Sequence, residues 1–267
     1  MKIFETVDTV ELTDERVWVA GDWHGNISWV RRLFRTMSRV DGSIETVLQL
    51  GDFWPHGAMI PELDRRARQA GIKRILFVPG NHEPWPQLIQ LEEALAPGKA
   101  VRISETVWFL PRPFRFTIAG LRVLALGGAS SVDAAFRTQG VDWWPEERIN
   151  GTHEALAIGT GSAEIMLTHE SPLSSVPEVQ QILDDNPGEY PAAEREISQG
   201  QRERVERIWD AVSPKLLLHG HMHIYGERTF DDGRRIISLA SDETAGHAGL
   251  LNMSTLEFEL LDHASIR

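Results

Sequence analysis

The chain has 267 residues, a formal net charge of −12 and no cysteine. The lack of cysteine excludes disulfides, thiolate metal ligands and cysteine nucleophiles, and the negative charge argues against docking on extended nucleic acid. The start of the chain has no apolar leader and no apolar stretch reaches about 18 residues, so we expect a cytoplasmic protein without a membrane span.

The first third of the chain alternates between short apolar runs and amphipathic segments. The apolar runs VWVAG (17–21), TVLQLG (46–51) and RILFVPG (74–80) end in glycine and are typical of buried strands. Residues 27–39 and 59–70 have helical spacing with charged faces. Strands that alternate with helices predict a parallel sheet with helices on both faces.

The next apolar runs, FRFTIAG (114–120) and LRVLALGG (121–128), follow each other with almost nothing between them. This arrangement predicts a hairpin that begins a second sheet. EIMLTHE (164–170) and KLLLHG (215–220) resume the buried-strand pattern. Three further strand candidates follow in the tail: YGERTF, RRIISLA and LEFELL.

Residues 171–200 are rich in Pro, Ser, Asp and Glu, and we expect a long irregular excursion there, before a helix at about 201–212. Such a segment is either a functional loop or a surface insertion. Because strand candidates are spread over the whole length and no linker or repeat interrupts them, we expect one domain over residues 1–267.

Side chains that can bind a metal follow five of the apolar runs. In an open α/β sheet, sites form at the carboxyl ends of the strands, and parallel neighbours bring those ends to one edge. We therefore expect these distant residues to meet in space. In chain order they are Asp22, His24, Asp52, Asn81, His82, His169, His221 and His223.

These residue types point to metal chemistry. Carboxylate oxygen and neutral imidazole suit Mn, Fe, Zn and similar ions. The D-x-H of GDWHGN and the H-x-H of GHMH place alternate side chains on one side of an extended segment. A lone histidine at a strand end is most often structural, but five such ends on one predicted sheet edge indicate a metal site. Glu83, directly after His82, either orients a ligand or is surface charge.

As an ordered set, GDWHGN, GDFW, GNHE, THE and GHMH resemble the calcineurin-like metallophosphoesterase superfamily over residues 21–223. The resemblance implies an α/β fold, an αββα sandwich of two mixed β-sheets flanked by helices. It also implies a dinuclear centre in which Asp22, His24 and His223 hold one metal and Asp52 bridges to the second. The second metal would be held by Asn81, His169 and His221, with His82 as a catalytic residue that is not a ligand.

The implied cofactors are two divalent metal ions, with Mn²⁺ as the first choice and Fe, Zn or Ni as alternatives. Two cations about 3.5–4 Å apart can share a hydroxide, which would attack phosphorus in line with the leaving oxygen. His82 would donate a proton to the leaving alkoxide or hold a phosphate oxygen.

The second motif departs from that of the phosphoprotein phosphatases in this superfamily. They carry GDxxDRG, whereas this chain reads GDFWPHG, so Pro55 and His56 replace the Asp–Arg pair. A bidentate arginine clamp for a phosphate dianion is thus missing. A phosphodiester carries one negative charge and needs such a clamp less. His56 is a candidate substrate contact, although a structural role is the alternative.

The stretch GGASSVDAAFRTQGVDWWPEE (127–147) looks like one found in some bacterial and phage members of the superfamily. Its candidates for shaping a substrate pocket are Ser130, Ser131, Asp133 and Arg137, and Trp143 or Trp144 is a candidate for stacking on a base. The alternative is that the tryptophans pack a helix start into the core, with Asp142 as the N-cap.

The leading hypothesis is a metal-dependent phosphodiesterase that acts on small diesters such as cyclic nucleotides. A phosphomonoesterase is the nearest alternative, followed by a nuclease and by a binding scaffold that has lost its metals. The partner we expect is a small phosphoester, not a membrane or extended nucleic acid. The sequence does not indicate an oligomeric state.

Overall fold

The computed structural model describes residues 5–7, 10–54, 57, 59–95 and 99–266. Their strands are β1 (Glu5–Val7), β2 (Glu11–Leu12), β3 (Arg16–Ala20), β4 (Thr46–Gln49), β5 (Arg74–Phe77), β6 (Ala100–Arg102), β7 (Val107–Phe109), β8 (Phe114–Ile118), β9 (Leu121–Leu126), β10 (Ile165–Thr168), β11 (Leu216–His219), β12 (Gly226–Thr229), β13 (Arg235–Ser238), β14 (Ala248–Asn252) and β15 (Phe258–Leu260). Their α-helices are α1 (Ile27–Asp41), α2 (Ile60–Gln69), α3 (Trp85–Ala94), α4 (Gly151–Gly159), α5 (Pro177–Asp185) and α6 (Ala192–Val212).

The strands form two mixed sheets. The first has the order β1-β6-β7-β5-β4-β3-β14-β15, and the second has the order β12-β13-β11-β10-β9-β8-β2. In the first sheet, β3, β4 and β5 are parallel neighbours. In the second sheet, β9, β10, β11 and β13 are parallel neighbours. The predicted hairpin is confirmed as the antiparallel pair β8–β9, which lies in the second sheet.

The β3 segment shows how the sequence produces a layered fold. Successive side chains of a strand point to opposite faces. Val17 and Val19 belong to an apolar cluster that contains residues of both sheets, whereas Trp18 and Ala20 belong to a cluster that includes α1, α2 and α3. Because both faces of the strand are buried, the run has no polar position after its first residue.

A third apolar cluster covers the outer face of the second sheet. Leu124, Met166 and Leu217 of its strands pack with Val205 and Trp209 of α6. The order of layers is therefore helices, sheet, sheet, helices, which confirms the αββα sandwich. The apolar strand sequences predict this arrangement because a strand buried on both faces needs a layer on each side.

The expected irregular excursion at 171–200 is wrong in part. It contains α5, and α6 begins at Ala192, well before the expected position of about 201. Two of the four prolines that suggested a loop stand at helix starts, since Pro177 occupies the first turn of α5 and Pro191 is the N-cap of α6. Proline is tolerated there because the first helical N–H groups have no partner within the helix.

Two smaller differences concern strand β14 and the expected cap. Residues 248–252 form β14 beside β3, although the sequence analysis predicts no strand there. Asp142 is not a helix N-cap, because its Oδ1 accepts a hydrogen bond from Thr138 N at 2.6 Å. Helix α4 is capped by Asn150, whose side chain accepts from the backbone N–H groups of Thr152 and His153.

No helix of the described residues is both long enough and apolar enough to cross a bilayer.

Candidate metal centre

Four of the predicted ligands converge where the loops after β3, β4 and β11 meet. One ligand atom from each of Asp22, His24, Asp52 and His223 lies within 4.8 Å of all the others. His223 Nε2 is 3.1 Å from Asp22 Oδ2, and His24 Nε2 is 3.6 Å from Asp52 Oδ2. The structure thus brings together the residues expected to hold the first metal, along with the expected bridging carboxylate.

The second set gathers on the other oxygen of Asp52. His169 Nε2 is 3.4 Å from Asp52 Oδ1 and 3.0 Å from Asn81 Oδ1. His221 stands beside them, with its ring centroid 5.0 Å from that of His169 and its Nε2 3.8 Å from Glu170 Oε2. Within the described part of the chain, Asp52, His169 and His221 do not form a second group of His and Asp ligand atoms as close together as the first.

The backbone at the site takes a conformation that residues other than glycine rarely adopt. His24, Asp52, His221 and His223 have φ values of 45°, 50°, 68° and 53°, in the left-handed region. Each such residue costs of order 1–3 kcal/mol and persists only where its surroundings fix it. Here the backbone oxygen of Asp52 accepts from His24 N at 2.8 Å, and Asp22 Oδ1 accepts from His221 N at 3.1 Å.

Two glycines let the backbone approach the carboxylates. A Cβ at Gly80 would lie 2.2 Å from Asp52 Oδ1, and a Cβ at Gly220 would lie 2.2 Å from Asp22 Oδ1. Real Cβ atoms do not come this close to another heavy atom. The glycines of the GNHE and GHMH motifs are therefore required by space at the two predicted ligands.

In two of the predicted histidine ligands, a contact of Nδ1 orients the ring. His24 Nδ1 is 2.9 Å from Asp242 Oδ1, and His169 Nδ1 donates to the backbone oxygen of Leu50 at 2.7 Å. In both cases Nε2 faces the predicted site. Ring nitrogens of metal-binding histidines usually have such partners, which fix the tautomer and the ring orientation.

Asp242 is a site residue that the sequence analysis missed. Its Oδ2 accepts from Asn26 Nδ2 at 2.7 Å, and its backbone N donates to Asp22 O at 2.8 Å. Its position in the sequence could have revealed it. Asp242 comes shortly after β13, just as the predicted ligands come shortly after their own strands.

The amide of Asn81 is held by a buried chain of hydrogen bonds. Asn81 Nδ2 donates to Ser131 Oγ at 3.0 Å, and Ser131 Oγ donates to Glu147 Oε2 at 2.8 Å. Glu147 also accepts from Ser131 N and from Trp143 Nε1, at 2.6 Å and 3.0 Å. These hydrogen bonds turn the amide nitrogen of Asn81 away from His169, so the amide oxygen faces the predicted metal site.

Glu83 is buried, which excludes the surface-charge alternative. Its Oε1 accepts from Phe53 N at 2.9 Å and from Gly80 N at 3.2 Å, and its Oε2 accepts from Trp54 N at 2.9 Å. Burial, with a contribution from the charge of Asp52, raises the pKa of Glu83 to about 7. Glu83 therefore joins the loops after β4 and β5 and acts on the site through the backbone.

Carboxylates at the site raise the pKa values of two of the predicted histidine ligands. Burial lowers the pKa of His24, but the hydrogen bond to Asp242 and the nearby carboxylates of Asp52 and Asp22 outweigh it and raise that pKa to about 10. Burial likewise lowers the pKa of His169, and the charges of Asp52 and Asp22 raise it to about 10. These carboxylates attract any cation, and metal ions would compete with protons for the same side chains.

The imidazole of His82 lies beside the predicted ligands. The backbone N of His82 donates to Asp52 Oδ1 at 2.8 Å, and its ring centroid is 6.1 Å from that of His24. Burial lowers the pKa of its imidazole, although the charge of Asp52 opposes this effect. The side chain lines a cavity of about 320 Å³, together with Asp52 and Asn81. This placement is compatible with a contact to substrate.

The candidate substrate-binding residues have different positions. Asp133 lines the same cavity as His82, and Arg137 Nη1 lies 3.7 Å from Asp133 Oδ1 and 3.3 Å from Ser131 Oγ. His56 lies outside the described residues. Trp143 bonds to Glu147 and Trp144 packs against the core of the first sheet, so neither is among the residues that line the cavity.

The chemistry of the donor set fits a pair of divalent cations. Asp52 is buried, and within the described residues its Oδ2 has no hydrogen-bond partner. An unpaired buried carboxylate oxygen is costly unless a cation or donor reaches it. Imidazole nitrogens and carboxylate oxygens surround it, a combination that divalent transition metals bind well.

Known proteins provide an independent comparison. The profile of the calcineurin-like phosphoesterases matches residues 15–225. A crystal structure of a Thermus thermophilus protein has 13% identity and a TM-score of 0.56, covering 94% of this chain and all of its own. A dimetal phosphatase from Danio rerio has 12% identity and a TM-score of 0.56, covering 89% of this chain and 92% of its own. At these identities the likeness shows the fold alone.

No curated protein matches the chain significantly. The family profile nevertheless spans most of the chain, including every predicted metal ligand. The chain therefore belongs to the calcineurin-like phosphoesterase family.

Proposed function

We propose that the protein is a metal-dependent phosphodiesterase that acts on small diesters such as cyclic nucleotides. The observation that carries this proposal is the convergence of Asp22, His24 and His223 on Asp52, whose buried Oδ2 has no hydrogen-bond partner among the described residues. When bound, the two cations supply Lewis-acid activation of water and of the phosphoryl group.

The protein residues have separate tasks in this proposal. Asp22, His24 and His223 would hold the first cation, Asn81, His169 and His221 would hold the second, and Asp52 would contact both. His82 would bind a phosphate oxygen or hand a proton to the leaving oxygen, a task that fits its place on the cavity wall. Asp242 would hold the ring of His24 in its orientation, and the Glu147–Ser131 pair would do the same for the amide of Asn81.

A diester is favoured because the loops that carry the predicted ligands contain, among the described residues, no unpaired arginine that could bind a phosphate dianion. Arg137 is close enough to His82 to lower the pKa of the His82 imidazole. The carboxylate of Asp133 lies 3.7 Å from the guanidinium of Arg137 and offsets the charge of this arginine. A phosphate dianion needs a bidentate cation more than a diester monoanion does. Small substrates are favoured because the net charge of −12 repels polyanions.

A phosphomonoesterase is the second candidate. The Danio rerio protein of similar fold is named a dimetal phosphatase. The same residues would serve either substrate, so the difference must be measured.

The test begins with protein that has been stripped of metal by a chelator. Mn²⁺, Fe²⁺, Zn²⁺ and Ni²⁺ are added back one at a time, and hydrolysis of bis-p-nitrophenyl phosphate is compared with that of p-nitrophenyl phosphate. We expect activity only after metal is restored, highest with Mn²⁺, and a higher kcat/KM for the diester. A strong preference for the monoester would overturn the diesterase proposal, and no activity with any metal would overturn the hydrolase proposal.

A further inference from the structure

The cavity beside the predicted metal centre has a second wall that the proposed chemistry does not use. One side of the cavity is formed by Asp52, Asn81, His82, His221 and His223. The other side comes from α5, the start of α6 and the loop between them, together with Val132, Asp133 and Met222. This second wall contains the part of residues 171–200 whose role the sequence left open.

The loop of the second wall is held in one conformation by its own side chains. Asn186 ends α5 with a φ of 43°, its Nδ2 donates to Tyr190 O at 3.2 Å, and Tyr190 N donates to Asn186 Oδ1 at 3.1 Å. A Cβ at Gly188 would lie 2.3 Å from the Tyr190 ring, so the ring packs directly on the backbone there. These contacts fix the backbone of the loop between α5 and α6.

The second wall is mainly apolar. Ile182, Leu183 and Pro187 line it, and the ring of Tyr190 lies among them. A volume of about 320 Å³ is at the lower end of the range for pockets that bind small organic ligands. The phosphate group of a substrate belongs at the metal edge, so the apolar wall faces the part of the substrate that the phosphate is attached to.

Two polar groups on α6 interrupt the apolar surface. Ser198 is only 2% exposed, lines the cavity, and has an Oγ with no hydrogen-bond partner within the described residues. Arg195, one helical turn earlier, also lines the cavity, and no described carboxylate pairs with it. A planar guanidinium and a tyrosine ring both favour flat ring systems, on which they can stack.

We propose that this cavity is a binding subsite for a flat aryl or heteroaryl ring, of nucleobase size, carried by the phosphoester substrate. Tyr190 and Arg195 would contact the faces of the ring, Leu183 would contact its edge, and Ser198 would satisfy a polar atom of the ring. The inference rests on the proposed function, because it assumes that the phosphate binds at the predicted metal centre.

The experiment measures binding, with ligands that cannot be hydrolysed. Methylphosphonate, cyclohexylphosphonate and phenylphosphonate are titrated calorimetrically into the metal-loaded protein. All three have the same anionic group, so differences in Kd report the substituent. Stacking on an aromatic group favours a flat ring over a saturated ring or a methyl group. We therefore expect phenylphosphonate to bind about tenfold more tightly than methylphosphonate, with cyclohexylphosphonate between them.

Two variants test the named side chains. Leu183→Ala and Arg195→Lys should each remove most of the preference for phenylphosphonate while leaving methylphosphonate binding within about twofold. Arg195→Lys keeps the charge but loses the flat group, and because Arg195 is exposed this variant should fold even if Leu183→Ala does not. The matched controls are Leu156→Ala on α4, where the side chain is 48% exposed, and Arg35→Lys on α1.

The possible outcomes separate the two proposals. Equal binding of the three phosphonates, or an unchanged preference in Arg195→Lys, would overturn the subsite and leave the proposed function in place. Failure of all three to bind to metal-loaded protein would overturn the proposed function, and the subsite with it.

Discussion

Asp242 Oδ1 lies 2.9 Å from Nδ1 of His24, although 218 positions separate the two residues in the sequence. Asp242 also receives a hydrogen bond from the side chain of Asn26, which caps α1. One carboxylate thereby ties the loop after β3, the start of α1 and the loop after β13 together. Its contact with His24 determines which ring nitrogen faces the predicted metal.

Replacing Asp242 should therefore weaken metal binding without removing a ligand. In Asp242→Ala, the ring of His24 loses its partner, and we expect about 10- to 100-fold weaker binding of the first metal. Calorimetric titration of chelator-treated protein measures this. Glu243→Ala is the matched control, since Glu243 is its neighbour, 61% exposed and paired with Arg32. Equal affinities for the Asp242→Ala protein and the natural sequence would contradict the prediction.

Asp52 and His82 should differ in what their loss does. Asp52→Ala removes the carboxylate shared by both predicted ligand sets, so we expect metal and activity to be lost together. His82→Ala leaves the ligands in place, so the protein should retain metal while kcat falls by about 10²- to 10⁴-fold. Metal analysis by mass spectrometry and steady-state kinetics on both variants provide the test. Equal metal loss in the two variants would refute the assigned roles.

The metal ligands at the strand ends could be predicted from the sequence because each of them follows an apolar run that is recognisable as a buried strand. Strands β3, β4 and β5 are apolar through most of their buried length, and the predicted ligands follow within a few residues of each strand end. Parallel neighbours then bring distant motifs to one edge. The same physical rule predicts most of the αββα sandwich, since runs that are buried on both faces require two covering layers.

The supporting residues could not be predicted in this way, because their roles depend on which loops meet in three dimensions. The sequence leaves open whether Glu83 orients a ligand or is surface charge, whereas in the structure it is 2% exposed and accepts three backbone hydrogen bonds. Ser131 contacts Asn81 from 50 positions away, and Glu147 acts through Ser131. Helix α5 was missed because Pro177 at its first turn is also a loop signal.

Replacing glycine by alanine should change the free energy of unfolding in opposite directions at two positions. In Gly80→Ala, the new Cβ would lie 2.2 Å from Asp52 N and Oδ1, so we expect a loss of about 1–3 kcal/mol in the free energy of unfolding and weaker metal binding. Gly200 lies within α6, and a Cβ there would meet no atom within 4 Å. Gly200→Ala should therefore stabilise the protein by about 0.5–1 kcal/mol. Urea unfolding of both variants checks the signs, and destabilisation by Gly200→Ala would contradict the prediction.

Glu147 makes the stability of the protein depend on pH. Burial raises the pKa of its carboxyl from 4.5 to about 7, against the opposing hydrogen bonds from Ser131 and Trp143 and the charge of Arg148. Between these two pH values the folded protein keeps a proton that the unfolded chain has lost. The free energy of unfolding must therefore fall as the pH rises through this window, by about 3 kcal/mol for this one group.

The variant Glu147→Gln cannot titrate at this position and isolates the effect. Urea unfolding is measured from pH 4.5 to 8 in the presence of a chelator, for the natural sequence, for Glu147→Gln and for the exposed neighbour Glu146→Gln. Glu83 and Glu170, whose pKa values burial also raises to about 7, are present in all three proteins and cancel in the differences. Relative to Glu147→Gln, the natural sequence should lose about 3 kcal/mol across this range. A difference that stays constant with pH would show that folding does not raise the pKa of Glu147, which would contradict the prediction.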